Sequence, residues 1–219
     1  MSDWFPLWLS LRVATLATLI AATVGIGCGY LLAKASFRGR GLLEAILSIP
    51  IVLPPTVLGY YLLTTLGVNS PVGRAWENIF GAPLVFTPTA AVVAASISAL
   101  PYVVRTSRAA IEEVDSRYEA VARVAGYPEW KVALMVTLPV ARRGLLAGVA
   151  LGFARALGDF GATVMIAGNI PQRTQTLPIA VYDAVQSGDT STARTGSLVL
   201  AGIAVVVLLA VTQLSTRRS

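Results

Sequence analysis

The sequence predicts an all-α integral membrane protein with five spanning helices, and three observations lead there. Charged residues make up only 13% of the chain and hydrophobic ones 55%, whereas a soluble domain carries roughly 25% charged residues. The mean hydropathy is +0.71. Five separate stretches come close to the ~20 apolar residues that a helix needs to cross a bilayer. Residues 1–219 read as a single transmembrane domain.

The first span is expected over 13–33, closed by Lys34, Arg38 and Arg40. Met1-Ser2-Asp3-Trp4 lacks the positive start of a signal peptide and the apolar run is too long for one. The span is therefore read as uncleaved, with Trp4 and Trp8 as interfacial anchors. The second span, 45–66, carries Pro50, Pro54 and Pro55. Each proline removes a backbone donor and crowds the carbonyl four residues earlier. Such breaks persist where they face protein or a watery cavity, so the span either lines a pathway or is kinked for packing, with Thr56 the nearest polar side chain. The third span, 85–104, ends at Arg105 and Arg108.

A polar stretch of 39 residues follows, 105–143, holding 12 of the 28 charged side chains. The fourth span, 144–167, contains Arg155 and Asp159, four apart and so on one helix face. Each costs about 2.5–3.5 kcal/mol at the bilayer centre, so they are paired, buried or near an end. They are either a self-neutralising pair that fixes packing or part of a gate. Gly152, Gly158 and Gly161 read as points of close helix approach, Gly161 and Gly168 also as room for a path, and Thr56, Thr163 and Asn169 as candidate polar residues along it. A helix near 177–185 is expected in the segment 168–196, and a fifth span over 197–214 ends at Arg217 and Arg218.

Lysine and arginine set the orientation. The first loop, the 105–143 stretch and the C-terminus hold twelve basic residues, against Arg12, Arg74, Arg173 and Arg194 on the other side. The expected topology is N-terminus outside and C-terminus cytoplasmic. The net charge of +6 therefore reads as membrane orientation, not as a nucleic-acid surface. The absence of histidine removes His-based metal sites, triads and proton relays. Neither Lys34 nor Lys131 sits in a Gly-x-x-x-x-Gly-Lys-Ser/Thr frame, so the chain does not bind ATP by a P-loop. An ion-driven transporter would want acidic residues within spans and internal repeats. A passive membrane adaptor would gain nothing from a triple-proline span.

Within 105–143 the sequence spells out local structure. Ser116-Arg117-Tyr118-Glu119 reads as a capping box, starting a short helix with Tyr118, Val121, Ala122 and Ala125 on one face. Gly126 stops it in the left-handed C′ role. Pro128 at a first helical position restarts a second helix, which runs to Leu138-Pro139. A short amphipathic helix on a stiff turn outside the membrane suits a groove on a partner.

The run Glu119-Ala120-Val121-Ala122-Arg123-Val124-Ala125-Gly126, then nine residues to Val136, Thr137 and Leu138-Pro139, resembles the EAA loop of ABC importer permeases. In that family this coupling helix enters a groove of the ATPase. The family pattern has its glutamate where Ala120 stands, one position after Glu119, so Glu119 either meets the ATPase or only caps its helix. Two further stretches are similar to molybdate permeases: Ile49-Pro50-Ile51-Val52-Leu53-Pro54-Pro55-Thr56, and Arg155-Ala156-Leu157-Gly158-Asp159-Phe160-Gly161-Ala162-Thr163. The latter is followed by Gly168-Asn169-Ile170-Pro171.

The resemblance implies a type I ABC importer permease fold in a bacterial or archaeal cytoplasmic membrane, acting as a homodimer with the path on its two-fold axis. It implies two ABC ATPase subunits that hold ATP and Mg, an extracytoplasmic oxyanion-binding protein, and no cofactor or covalent chemistry on this chain. Molybdate is the expected cargo, with tungstate or sulfate as alternatives and a structural membrane adaptor as a remoter one.

Overall fold

The computed structural model describes residues 4–216, which contain helices and connections but no strand. The long helices are α1 (Phe5–Lys34), α5 (Pro88–Glu112), α8 (Leu138–Leu157) and α11 (Thr190–Thr216). Shorter ones are α2 (Arg40–Val52), α3 (Pro55–Leu66), α4 (Pro71–Phe80), α6 (Ser116–Val124), α7 (Glu129–Val132), α9 (Gly161–Ala167) and α10 (Leu177–Gln186). Residues Ala133–Thr137 form a π-helical turn that joins α7 to α8. Four described helices are long and apolar enough to cross a membrane, five if the bent pair α2–α3 is one span. Arg217 and Arg218 lie outside the described residues.

The helix boundaries differ from the sequence expectation in one consistent way. The first helix begins at Phe5, not 13, and takes Arg12 into its body. The third runs eight residues past Val104 to Glu112, and the last begins at Thr190. Apolar windows report the hydrocarbon slab, whereas the i→i−4 ladder continues into polar sequence. The second span is two helices bent by 114°. The fourth starts earlier and ends at Leu157, with α9 a separate piece.

α5 is the central helix. Ala90, Ala91, Ala94, Ala95, Ser98, Ala99 and Val103 are all buried on it. Its neighbours meet it with glycines. A Cβ on Gly25 of α1 would lie 2.9 Å from Val103, and one on Gly29 would lie 2.9 Å from Ser107. On α8, Gly144 faces Ala110, a Cβ on Gly148 would lie 3.0 Å from Thr106, and one on Gly152 would lie 2.7 Å from Val103. Lipid is as apolar as leucine, so helices associate in a membrane by close packing, which small residues permit. Gly152 thus packs as expected. Gly158 does not: its nearest neighbour is the carbonyl of Ala154 in its own helix, 3.5 Å away, and it ends α8 instead. Replacing Gly152 by valine is expected to destabilise the detergent-solubilised protein by about 1–3 kcal/mol through overpacking, read as a lowered thermal midpoint. The same change at Gly27, which has open space around it, should do little.

Candidate functional site

The 105–143 loop is built around a buried carboxylate, that of Glu119. α6 is capped by Asp115, whose Oδ1 accepts the Arg117 N–H at 2.9 Å. Ser116 is already helical, so the capping box does not form. The residue before the serine is itself a short acceptor, and it moves the helix start back by one position. Glu119 turns inward and is 4% exposed. Its Oε1 accepts from Thr137 Oγ1 at 2.8 Å and pairs with Lys34 Nζ at 2.8 Å, while Arg123 Nη2 lies 3.7 Å from Oε2. Burial alone pushes this carboxyl up. The hydrogen bonds from Lys34 and Thr137, with the charges of Lys34 and Arg123, outweigh burial and hold it below the usual glutamate range. Glu119 therefore neither caps its own helix nor faces outward. It joins α6 to the last residue of α1 and to the π-helical turn before α8.

The far end of α6 matches expectation. Gly126 has φ +83°. Its N–H donates to Arg123 at 2.9 Å and the Tyr127 N–H donates to Ala122 at 3.1 Å, a Schellman closure. Pro128 is the residue before α7, not its first turn, and Arg123 bridges the turn to Glu129 at 2.7 and 3.2 Å. Ala120 is exposed and Ala122 buried, Val136 and Leu138 half-buried, Pro139 exposed. The outward surface carries Tyr118, Val121, Val124, Trp130, Leu134 and Met135, all exposed. Ala122, expected on that face, lies on the inner one beside Glu119.

The two broken spans meet each other. Leu53 precedes Pro54 and Pro54 precedes Pro55, and both have extended ψ, 137° and 136°. A residue before proline is driven out of the α region, so two in a row end α2. Pro50, by contrast, stays inside α2. The second break is Gly158–Phe160. A Cβ on Gly161 would lie 2.7 Å from that of Pro55 and 3.2 Å from the Thr56 nitrogen, and Gly59 packs on Ala162 and Met165. Missing side chains let α3 and α9 touch at their starts.

At this junction Asp159 is 2% exposed. Its Oδ1 accepts from Ser98 Oγ at 3.0 Å and lies 3.0 Å from Arg155 Nη1. Its Oδ2 accepts the Thr163 N–H at 3.1 Å and Oγ1 at 2.7 Å. The carboxylate ties α5, α8 and α9 together and is neutralised by Arg155. Asp159 does not share a helix with Arg155, since α8 ends at Leu157; the pair spans the break. Pro54, Pro55 and Thr56 are exposed beside it.

Of the expected pathway residues, Pro55, Thr56, Arg155, Asp159, Gly161 and Thr163 come together. Asn169 does not. It is exposed and belongs to a separate cluster, donating to Asp183 at 3.2 Å and accepting from Gln175 at 2.9 Å. The sequence reading missed Lys34, Thr137 and Ser98. Lys34 had read only as an orientation charge, and nothing local in the sequence marks Thr137 or Ser98 as partners of distant carboxylates.

Comparison with known proteins fits this geometry. The family profile of the binding-protein-dependent transport system inner membrane component matches residues 25–218. The molybdenum transport system permease protein ModB of Escherichia coli (strain K12) is 40% identical over 194 residues, 88% of this chain and 85% of that protein. The sulfate transport system permease protein CysT of the same strain is 32% identical over 209 residues, 95% of this chain and 75% of its own. Among solved structures, an inward-facing form of the MetNI methionine ABC transporter has a TM-score of 0.73 at 16% identity, over 95% of this chain and 92% of that one.

Proposed function

The chain belongs to the family of binding-protein-dependent transport system inner membrane components, and from that premise we propose that it is the permease subunit of an ATP-driven molybdate importer. Family membership makes it a multi-pass transport subunit of the inner membrane, not an enzyme, working with a separate ATPase and a binding protein. The choice of molybdate is carried by the higher identity to a molybdenum permease than to a sulfate permease, 40% against 32%. The double-proline break at 54–55 and the Arg155–Asp159 junction, which meet where Gly161 touches Pro55, lie in the stretches that resemble molybdate permeases.

In this reading residues 1–219 work as one transmembrane domain, with the N-terminus outside and α6, α7 and the C-terminus in the cytoplasm. Two copies form the path. α2 has no buried residue, so its apolar sides are available for the second copy or for lipid. The exposed Tyr118, Val121 and Val124 of α6 enter the ATPase groove, with ATP and Mg held entirely by the ATPase. Glu119 then acts inside the chain, carrying the motion of α6 to α1 and α8. The spans rock as bodies between inward-open and outward-open states, shifted by the differential affinity of ATP for the two. The polar junction at Asp159 offers no net charge, since Arg155 neutralises it. The path is therefore weakly polar, which suits an anion that must leave as readily as it enters, and tight recognition belongs to the binding protein.

The test is ATP-driven uptake in proteoliposomes that hold this chain with its ATPase, supplied with the loaded binding protein. Labelled molybdate is expected to accumulate, and excess unlabelled sulfate to compete poorly. Preferential uptake of sulfate, or of tungstate, would reassign the cargo. ATP hydrolysis by the purified chain alone would contradict the division of labour.

A further inference from the structure

α4 is a helix that the function above leaves unused. Ser70 Oγ accepts the Gly73 N–H at 2.8 Å at its start, and Gly81, at φ +71°, closes its end. Both ends are thus fixed. Its ten residues span about 15 Å, half of what crossing needs. Val72, Trp76, Ile79 and Phe80 fall on one side at i, i+4, i+7 and i+8, with Arg74, Glu77 and Asn78 opposite. The apolar side is open: Val72 is 55%, Ile79 74% and Phe80 61% exposed. Trp76 stacks on Phe80 with ring centroids 4.1 Å apart.

Its position says what covers that side. Residues 67–70, which lead into α4, line a cleft with Val85 and Phe86, just before α5 begins at Pro88. α4 therefore starts where α5 enters the apolar body, at the end opposite α6. Gly25 and Gly29 of α1 meet Val103 and Ser107 of α5, four residues on in both helices, so α1 and α5 run parallel and their starts lie at the same end. This brings the exposed Trp4 and Trp8 to the same end as α4. Tryptophans gathered at one end of a spanning protein mark the membrane–water interface, and a short helix with opposed apolar and polar sides lies within that interface. The polar side carries Arg74 and Glu77, which cancel, so it matches a zwitterionic headgroup layer better than a charged protein surface.

We propose that α4 lies flat in the bilayer interface at the end of the molecule opposite α6, continuing the lipid-facing surface of the spans. Val72, Trp76, Ile79 and Phe80 sit among the acyl chains, and Arg74, Glu77 and Asn78 among the headgroups. Only the naming of that leaflet as the outer one rests on the topology proposed above. α4 thereby holds the far end of α3 at a constant depth, while the break at 53–54 leaves α2 to move.

The experiment uses the full chain with Trp4→Phe, Trp8→Phe and Trp130→Phe, so that Trp76 is the only fluorophore of its kind. The protein is reconstituted in phosphatidylcholine vesicles whose acyl chains carry bromine either near the headgroup or near the terminal methyl. Strong loss of Trp76 emission with the first lipid, weak loss with the second, and little loss with aqueous iodide are expected. Quenching by iodide but not by brominated lipid would overturn the proposal in favour of a water-facing helix. Shielding from both would overturn it in favour of a protein partner or a second copy. A measurement without tryptophan removal runs in parallel. In a Cys28→Ser background, Asn78→Cys should react quickly with a membrane-impermeant maleimide and Ile79→Cys slowly. Equal, fast reaction at both positions would sink the assignment.

Discussion

Replacing Arg155 by alanine is expected to destabilise the protein by about 3–5 kcal/mol, because it leaves the buried carboxylate of Asp159 without the cation paired to it among the described residues. Ser98, Thr163 Oγ1 and the Thr163 N–H still donate to that carboxylate, but hydrogen bonds do not cancel its charge. The pair joins three helices at a break in the chain, so loss of the cation should loosen α9 from α5 and α8 first. Asp159→Asn should cost less, since the amide oxygen still accepts and Arg155, partly exposed, can reach water. The double change Arg155→Met with Asp159→Asn should recover much of the single Arg155 loss, because a buried ion pair as a whole contributes little to stability. Thermal midpoints of the detergent-solubilised variants decide it. Equal midpoints for wild type and Arg155→Ala would mean that Asp159 is not paired in the way described.

Replacing Glu119 by alanine is expected to leave ATP hydrolysis by the assembled transporter largely in place while uptake falls about tenfold or more, equivalent to ~1.4 kcal/mol of lost coupling. The carboxylate holds Lys34 of α1, Thr137 before α8 and, at 3.7 Å, Arg123. Without it, α6 moves with the ATPase but no longer pulls on the spans. The local stability cost is about 1–3 kcal/mol, the range for stranding the partners of a charged hydrogen bond. A charge exchange, Lys34→Glu with Glu119→Lys, should restore part of the uptake that either single change removes. Parallel loss of hydrolysis and of ATPase binding would instead mean that Glu119 supports the docking surface and not the transmission. The pH dependence carries a definite sign. The folded pKa is depressed, so the stabilisation is fully present above the ordinary glutamate value of about 4.3. It drains away as pH falls below that value through the folded pKa.

The membrane character, the helical class, the break at the prolines of the second span and the glycine turn of the 105–143 loop could all be read from the chain, whereas the break at 158–160 could not, since 144–167 reads as one continuous apolar span. Each legible feature depends on a local rule. Apolar length marks a span, Pro-Pro forces two residues into extended backbone, and Gly126 accepts a positive φ that other residues avoid. Helix ends were less legible, since backbone hydrogen bonding continues where hydropathy stops. α4 was missed because ten amphipathic residues fall below any spanning threshold.

Glu119 shows where local reading fails. Its spacing from Ser116 fits a capping box, yet an ion pair with a residue 85 positions earlier and a bond to Thr137 win, because a carboxylate held by a cation and a hydroxyl in a buried pocket is better satisfied than one reaching to a backbone amide. Asp159 is similar: sequence placed it four residues from Arg155 and left open whether the two were a pair or a gate. Hydropathy and local spacing alone specify a set of membrane helices, one of them interrupted at its prolines, with a helix–glycine–helix loop outside them. Which charges neutralise which, and that the two breaks share one junction, emerge only from the packing of the helices. Those outcomes depend on contacts between residues far apart in the chain, and no local spacing specifies them.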